Sequence, residues 1–167
     1  MRVPLFVCHA NCCRSVLAHY LYEHLFPGSQ ALSAGVAVGD QLNERAAAML
    51  RCWEIDASAH RPRQLDRALC DRADAIFLMS PEYLRRLLQT YGIDLAEKAY
   101  LFADPFRLPR SLHDGEYVVH DPSFDGRPTA DLVREFAWFR DRVTQIHRAL
   151  NGDGSQLVPA TRYLDLL

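Results

Sequence analysis

Apolar residues along this chain gather either in short unbroken runs or in stripes at helical spacing, and the two patterns alternate. Val3-Pro4-Leu5-Phe6-Val7 is an unbroken run before a turn-like segment, and it predicts a buried first strand with Pro4 near its start. Val16, Leu17, Tyr20, Leu21 and Leu25 then recur at helical spacing. Ser15 is placed to cap that helix and Pro27-Gly28 ends it. Ala31 to Ala34 predicts a second short strand, ahead of Gly35, and residues 43–53 read as a helix through Ala46, Ala47, Met49 and Leu50. Ala75 to Met79 predicts the central strand. Pro81 suits the first turn of a helix running to about Tyr91, and Ala99 to Phe102 predicts a fourth strand. A long loop rich in Pro, Gly, Asp and His runs from Asp104 to Thr129. The last helix follows it, with Leu132, Val133, Phe136, Phe139, Val143 and Ile146 on one face.

Strands alternating with helices predict an α/β fold with a mainly parallel sheet. In such sheets ligands sit beyond the carboxyl ends of the strands. The segment Val7-Cys-His-Ala-Asn-Cys-Cys-Arg-Ser15 occupies that place, after the first strand and before the first helix. Residues 1–150 read as one domain. Residues 151–167 lack a clear period and read as a C-terminal tail that docks through Leu157, Tyr163 and Leu166.

Composition removes several classes of function. The chain has 167 residues, enough for one domain with a real core. A net charge of −2 gives no global reason to expect a nucleic-acid partner. No apolar run approaches the roughly 20 residues that span a bilayer, so no membrane partner is expected. The N-terminus reads as a strand and not as a signal peptide. The cysteine count of 5 is odd, and Cys12 adjoins Cys13, a poor disulfide framework. Free thiols point to a reducing, cytoplasmic setting in which they are reactive or buried.

The segment from Cys8 to Arg14 carries the chemistry. Its backbone N–H groups can converge as a nest for an anion, and the positive end of the following helix faces the same point. Arg14 at the rim can grip two oxygens of a phosphate as a fork. Cys8 lies at the base, where the same field favours the thiolate that attacks phosphorus. A leaving oxygen needs a proton from a carboxylic acid, which a loop far along the chain, entering over the pocket, can supply. The nest and Arg14 neutralise the phosphoryl charge, so the reaction requires neither metal nor cofactor. A zinc site is the competing reading of Cys8, Cys12 and Cys13, but they lack the paired C-x2-C spacing. Cys52 and Cys70 read as small buried hydrophobes.

Val7-Cys8-His9-Ala10-Asn11-Cys12-Cys13-Arg14-Ser15 resembles the V-C-x-G-N-x-C-R-S-P loop of the low-molecular-weight protein tyrosine phosphatases. Leu32 to Val36, Ala59 to Leu65, Ala73 to Met79 and His120 to Phe124 resemble further segments of that family in the same order, so the resemblance covers about residues 3 to 148. It implies a single-domain three-layer α/β sandwich with a four-stranded parallel sheet of order 2-1-3-4. It also implies a phosphomonoester hydrolase acting on a phosphorylated protein or a small aryl phosphate, with inorganic phosphate as product. Carried over residue by residue, Cys8 is the nucleophile, Arg14 the phosphate ligand and Asp121, of the pair Asp121-Pro122, the general acid; the sequence also offers Asp104-Pro105 as a rival pair, and the resemblance favours Asp121. His9, Ala10, Asn11, Cys12, Cys13 and Ser15 form the binding loop, with Ser15 donating to the Cys8 thiolate. Phe124 supplies an aromatic wall. Asn11 and Ser33 hold the loop in shape with His60 in support, and Cys13 matches a cysteine that forms a reversible disulfide with the nucleophile.

The chain departs from this pattern in places. Ala10 stands where the family has glycine, and it strains the loop if a positive φ is needed there. Val16 replaces a proline, and Cys12 is an unusual occupant of a position that faces the substrate. Ser123-Phe124 replaces a pair of tyrosines. Two other functions compete. Arsenate reduction on the same loop needs two further cysteines near the end of the third strand, and residues 79–91 contain none. A non-catalytic phosphate-binding module is the other.

Overall fold

Every residue of the first strand is buried, because neighbours flank it on both sides. β1 (Pro4–Cys8) pairs in parallel with β2 (Leu32–Gly35) and with β3 (Ala75–Leu78), and β3 pairs in parallel with β4 (Ala99–Leu101). The sheet order is therefore β2-β1-β3-β4, all parallel, as the resemblance implied. Central parallel strands read as continuous apolar runs, which explains why β1 and β3 were the clearest strands in the sequence. This computed structural model describes residues 1–113, 115–124, 129–152 and 156–167, with the side chains of residues 124 and 129–132 outside the description.

The helices are α1 (Arg14–Leu25), α2 (Glu44–Arg51), α3 (Arg67–Arg72), α4 (Pro81–Tyr91) and α5 (Thr129–Asn151). They surround the sheet to give the three-layer α/β sandwich. α1 packs against β1 and against α5. Aromatic rings fill that layer: Phe6 meets Tyr22 of α1, and Phe102 meets Phe139 of α5 at 5.5 Å between ring centroids. α4 packs on β3 and β4. The chain leaves β1 for β2 on one side and reaches β3 on the other, so the crevice beyond the carboxyl end of β1 is the switch point of the sheet.

The helix boundaries follow from caps. Asn43 accepts from the backbone N–H groups of Arg45 and Ala46, Asp66 accepts from Leu69, and Ser80 accepts from Glu82 with Pro81 in the first turn. α1 differs. Its first residue is Arg14, Cys13 stands at its N-cap, and no side chain caps it. The expectation that Ser15 caps this helix is overturned: Ser15 lies inside α1 and its hydroxyl is engaged elsewhere. α3 was not foreseen, because six residues with only Leu69 and Cys70 buried give no readable period.

Two expectations about burial also fail. Val133 is 64 % exposed, whereas Phe136, Phe139, Val143 and Ile146 are buried. The inward stripe of α5 steps by three and four residues, and Val133 lies beside it. Leu132's side chain falls outside the description. Cys70 is buried but Cys52, just past the end of α2, is exposed. In the segment after α5, Ala160 and Tyr163 are buried, the Val158 N–H donates to the Pro105 carbonyl, and Arg85 donates to the Leu167 carbonyl. Among the described residues no helix is long and apolar enough to cross a membrane.

Candidate active site

The loop between β1 and α1 turns back on itself because its carbonyls are all taken from outside. The segment after β2 runs alongside it. The N–H groups of Val36, Ala37, Gly39 and Asn43 donate to the carbonyls of Cys8, His9, Ala10 and Cys12. The imidazole Nε2–H of His60 donates to the Asn11 carbonyl at 2.9 Å, and Leu17 of α1 takes the Cys13 carbonyl. With the carbonyls of residues 8–13 directed outward, the peptide planes turn their N–H groups to the inside. None of the N–H groups of residues 9–13 has a protein acceptor among the described residues. The positive end of the uncapped α1 points to the same place. An inward ring of free donors at a helix start is an anion cradle.

Asn11 makes the turn possible. It adopts φ +56° and is wholly buried. Its Oδ1 accepts from the Arg63 N–H at 3.0 Å and its Nδ2 donates to the Ser15 hydroxyl at 3.0 Å. Asparagine tolerates this left-handed conformation better than most residues. Ala10 does not adopt a positive φ, so the strain expected at that position is absent. Gly35, in register with Cys8, lets the strand approach the loop closely: a Cβ there would lie 2.7 Å from the Ala10 carbonyl carbon and from the His9 oxygen.

Cys8 closes the floor. Its Sγ lies 3.0 Å from the Ser15 hydroxyl. That hydroxyl already accepts from Asn11, which leaves its own proton for the sulfur. Cys13 is also buried. Burial pushes its thiol well up, the charges of Asp121 and Cys8 add to this, and Cys13 stays protonated. Burial and then Cys8 raise the Cys12 thiol, which donates to the Ala10 carbonyl at 3.3 Å.

Arg14 stands at the first position of α1 and is 6 % exposed. Burial opposes its charge, but Asp121, with Cys8 and Tyr83, more than offsets this and holds it protonated. Its Nη1 donates to the Val119 carbonyl at 3.2 Å, and its Nη2 donates to the Tyr83 hydroxyl at 3.2 Å and lies 2.8 Å from Asp121 Oδ2. Its Nε is buried with no partner among the described residues. Asp121 Oδ1 accepts from the Ser123 N–H and hydroxyl, at 3.0 and 2.6 Å. The loop carrying it is tied to α2 through Arg45, which donates to the Pro122 carbonyl.

These groups line a cavity of about 360 Å³ with Cys8, Ala10, Cys12, Arg14, Tyr83 and Asp121 on its walls. A larger cavity of about 520 Å³ lies beside α5 near His120, away from the cysteines. Asp104 does not reach the site; its carboxylate accepts from the Phe106 N–H and pairs with Arg107 and Arg142. His9 sits at the exposed rim, its ring 6.2 Å from that of Tyr83. The Ser33 hydroxyl engages His19 and not the loop. The Ser33 carbonyl accepts from Arg63 Nε, and Arg63 in turn donates its backbone N–H to Asn11 of the loop. Burial lowers the pKa of His60, with its cationic neighbours adding to this. Phe124 lies in a short 3-10 turn, Pro122–Phe124, and its side chain is outside the description.

Sequence reasoning missed Tyr83, Asn43, Arg63 and the Val119 carbonyl. Tyr83 is 69 residues from Arg14 and shows in sequence only as an apolar position of an amphipathic helix. Val119 contributes a backbone atom, which no residue type encodes.

A Cys-x5-Arg loop forming an anion cradle at the switch point of a parallel sheet defines a cysteine-loop α/β protein. The sequence matches the family model described as low molecular weight phosphotyrosine protein phosphatase over residues 4–156, and the chain belongs to that family. It is 34 % identical over 89 residues to the low molecular weight protein-tyrosine-phosphatase Ptp of Acinetobacter johnsonii, covering 52 % of this chain and 63 % of that protein. It is 35 % identical over 89 residues to the probable low molecular weight protein-tyrosine-phosphatase EpsP of Ralstonia solanacearum, covering 52 % and 61 %. The matches thus span less than two thirds of these curated relatives. Among solved structures, the YwlE arginine phosphatase from Geobacillus stearothermophilus superposes with a TM-score of 0.74 at 23 % identity, over 90 % of this chain and 94 % of that one. The tyrosine phosphatase Wzb from Escherichia coli K30, in complex with sulphate, gives 0.72 at 19 % identity, over 90 % and 99 %. At those identities the likeness establishes the fold alone.

Proposed function

We propose that this protein hydrolyses phosphomonoesters as a protein-tyrosine-phosphatase, through a phosphocysteine intermediate on Cys8. The observation that carries the reading is the loop whose carbonyls are all engaged outward, leaving inward N–H groups above a buried cysteine. The Cys8 thiolate attacks phosphorus, forming an S–P bond as the P–O bond to the leaving group breaks. Asp121 delivers its proton to the leaving oxygen. Water then attacks the phosphocysteine, Asp121 takes the water proton, the S–P bond breaks, and phosphate departs with the thiolate restored. Arg14 and the loop N–H groups hold the equatorial oxygens and stabilise their growing charge. Ser15 donates to the sulfur, easing both its attack and its departure.

Asp121 is paired with Arg14 before substrate binds. A dianionic phosphoryl group takes over the Nε and Nη2 edge of Arg14, which frees the Asp121 carboxyl from the arginine to serve the leaving oxygen. The substrate we infer is a phosphorylated protein side chain or a small aryl phosphate, and the name of the Acinetobacter relative supports phosphotyrosine. A thiol nucleophile also works best where thiols stay reduced, in keeping with a cytoplasmic setting. The test is Cys8→Ser assayed with p-nitrophenyl phosphate: hydrolysis is expected to vanish while inorganic phosphate still binds. Turnover equal to that of the unaltered protein would rule the mechanism out.

A further inference from the structure

Arg14 is gripped by three separate groups, and one of them is a neutral hydroxyl for which the reaction above has no use. We propose that Tyr83 is a positioning residue for Arg14, its phenol oxygen fixing the plane of the guanidinium once Asp121 has left it. The proposal rests on the phosphoryl-transfer reading of the loop.

The donor inventory of Arg14 leads there. Val119 O takes Nη1, Tyr83 Oη takes Nη2 together with Asp121, and the buried Nε is free of protein partners among the described residues. A phosphoryl group gripped by the fork needs Nε and one proton of Nη2. Asp121 Oδ2 lies 2.8 Å from that Nη2, and the carboxyl must leave it to protonate the departing oxygen. Two protein contacts then survive, Val119 on Nη1 and Tyr83 on Nη2. One anchor alone lets a long side chain swing; anchors on both terminal nitrogens define its plane.

The chemistry of the anchor matters as well. A carboxylate in the place of Tyr83 would neutralise Arg14 and compete with phosphate. A phenol oxygen accepts from the cation without cancelling its charge. Tyr83 is also well built for the purpose. It is 7 % exposed and sits in the first turn of α4, which Ser80 caps and Pro81 stiffens. Val119 and Asp121 both belong to the long connection after β4. Among the described partners of Arg14, Tyr83 alone is carried by a helix, and supports on regular elements hold a site more tightly than loops do.

The experiment is a double-mutant cycle with p-nitrophenyl phosphate as substrate. Tyr83→Phe keeps the ring and removes the hydroxyl. A hydrogen bond to a charged group of this kind leads us to expect a loss of about tenfold in kcat/KM, falling on kcat more than on KM. In an Arg14→Lys background, where the fork is gone, the same change is expected to have less than about twofold further effect. A residue that only packs the helix would cost the same factor in both backgrounds, and that result overturns the proposal. So does a loss below about twofold in the otherwise unaltered protein. Tyr83→Leu repeats the cycle if the first variant folds poorly. If the unaltered protein hydrolyses no aryl phosphate, the function reading fails by itself. The cycle is then read on inorganic phosphate binding by calorimetry, where equal losses in both backgrounds, or no binding at all, overturn the positioning role.

Discussion

Gly35→Ala is the sharpest perturbation the site offers, because it adds one methyl group and changes no charge. Gly35 faces Cys8 across the β1–β2 pairing, and the new Cβ would lie 2.7 Å from the Ala10 carbonyl carbon, 2.7 Å from the His9 oxygen and 2.8 Å from the Asn11 nitrogen. Carbon contacts are comfortable at about 3.5–4.0 Å, so relief requires a movement of roughly 0.7 Å or more. The strand cannot retreat. The Gly35 N–H donates to the Arg63 carbonyl and its carbonyl accepts from Leu65, at 3.0 and 2.7 Å. The displacement therefore falls on the loop between Cys8 and Arg14. Overpacking of this kind costs about 1–3 kcal/mol, which in a chain of this size lowers the melting temperature by about 3–10 °C. A misplacement near 1 Å costs about 10²-fold in rate, so kcat/KM for p-nitrophenyl phosphate is expected to fall by about that factor. Gly28→Ala is the control. Gly28 has φ +87° and a Cβ there meets nothing within 4 Å, so strain alone lowers stability, by about 1 kcal/mol, and the rate is spared. A Gly35→Ala protein with kcat/KM within threefold of the original would refute the argument that this contact shapes the loop.

Two further predictions follow from the surroundings of the site. Asp121→Asn is expected to lower kcat by about 10²–10⁴-fold and most for poor leaving groups, as loss of a general acid does. Inorganic phosphate should meanwhile bind more tightly, because a carboxylate no longer holds Arg14 Nη2; calorimetry and a leaving-group series check this, and a uniform loss across leaving groups would remove Asp121 from the acid role. Burial, with cationic neighbours, holds the pKa of His60 below its ordinary value of 6.5. Unfolding then takes up protons below about pH 6.5, so the stability His60 contributes is present above that pH and is lost as the pH falls towards the folded value. Denaturant titrations between pH 5 and 8 should show His60→Gln losing part of this slope; burial of His147 acts in the same sense and persists in both proteins.

The strands, the main helices and the Cys8–Arg14 loop were legible in the sequence because their signals are local. Buried central strands leave unbroken apolar runs, helices leave Asn43 and Pro81 at their starts, and a nucleophile and its arginine six positions apart share one turn of chain. α3 was too short to show a period, and Val133 beside the stripe of α5 could not be separated from the stripe. Ser33 was assigned to the loop by resemblance, yet its hydroxyl turns to His19, because side-chain direction depends on neighbours that sequence does not order in space.

Which of the two Asp-Pro pairs reaches Arg14 was open from the residues alone, and the resemblance chose Asp121. Only the tertiary structure sets that carboxylate 2.8 Å from Arg14 and turns Asp104 towards other arginines. By itself, then, the sequence determined the strands and the main helices, the cysteine at the end of the first strand and the arginine that opens the first helix. The tertiary structure decided the surroundings of both: the outward carbonyls that turn the loop N–H groups inward, the positive φ at Asn11 in place of Ala10, and the grip of Val119, Tyr83 and Asp121 on Arg14. The three contacts on Arg14 join residues 69 to 107 positions apart. Periodicity and spacing report only what lies within a few turns of chain, and contacts at that range exist only once the sheet has set its strand order.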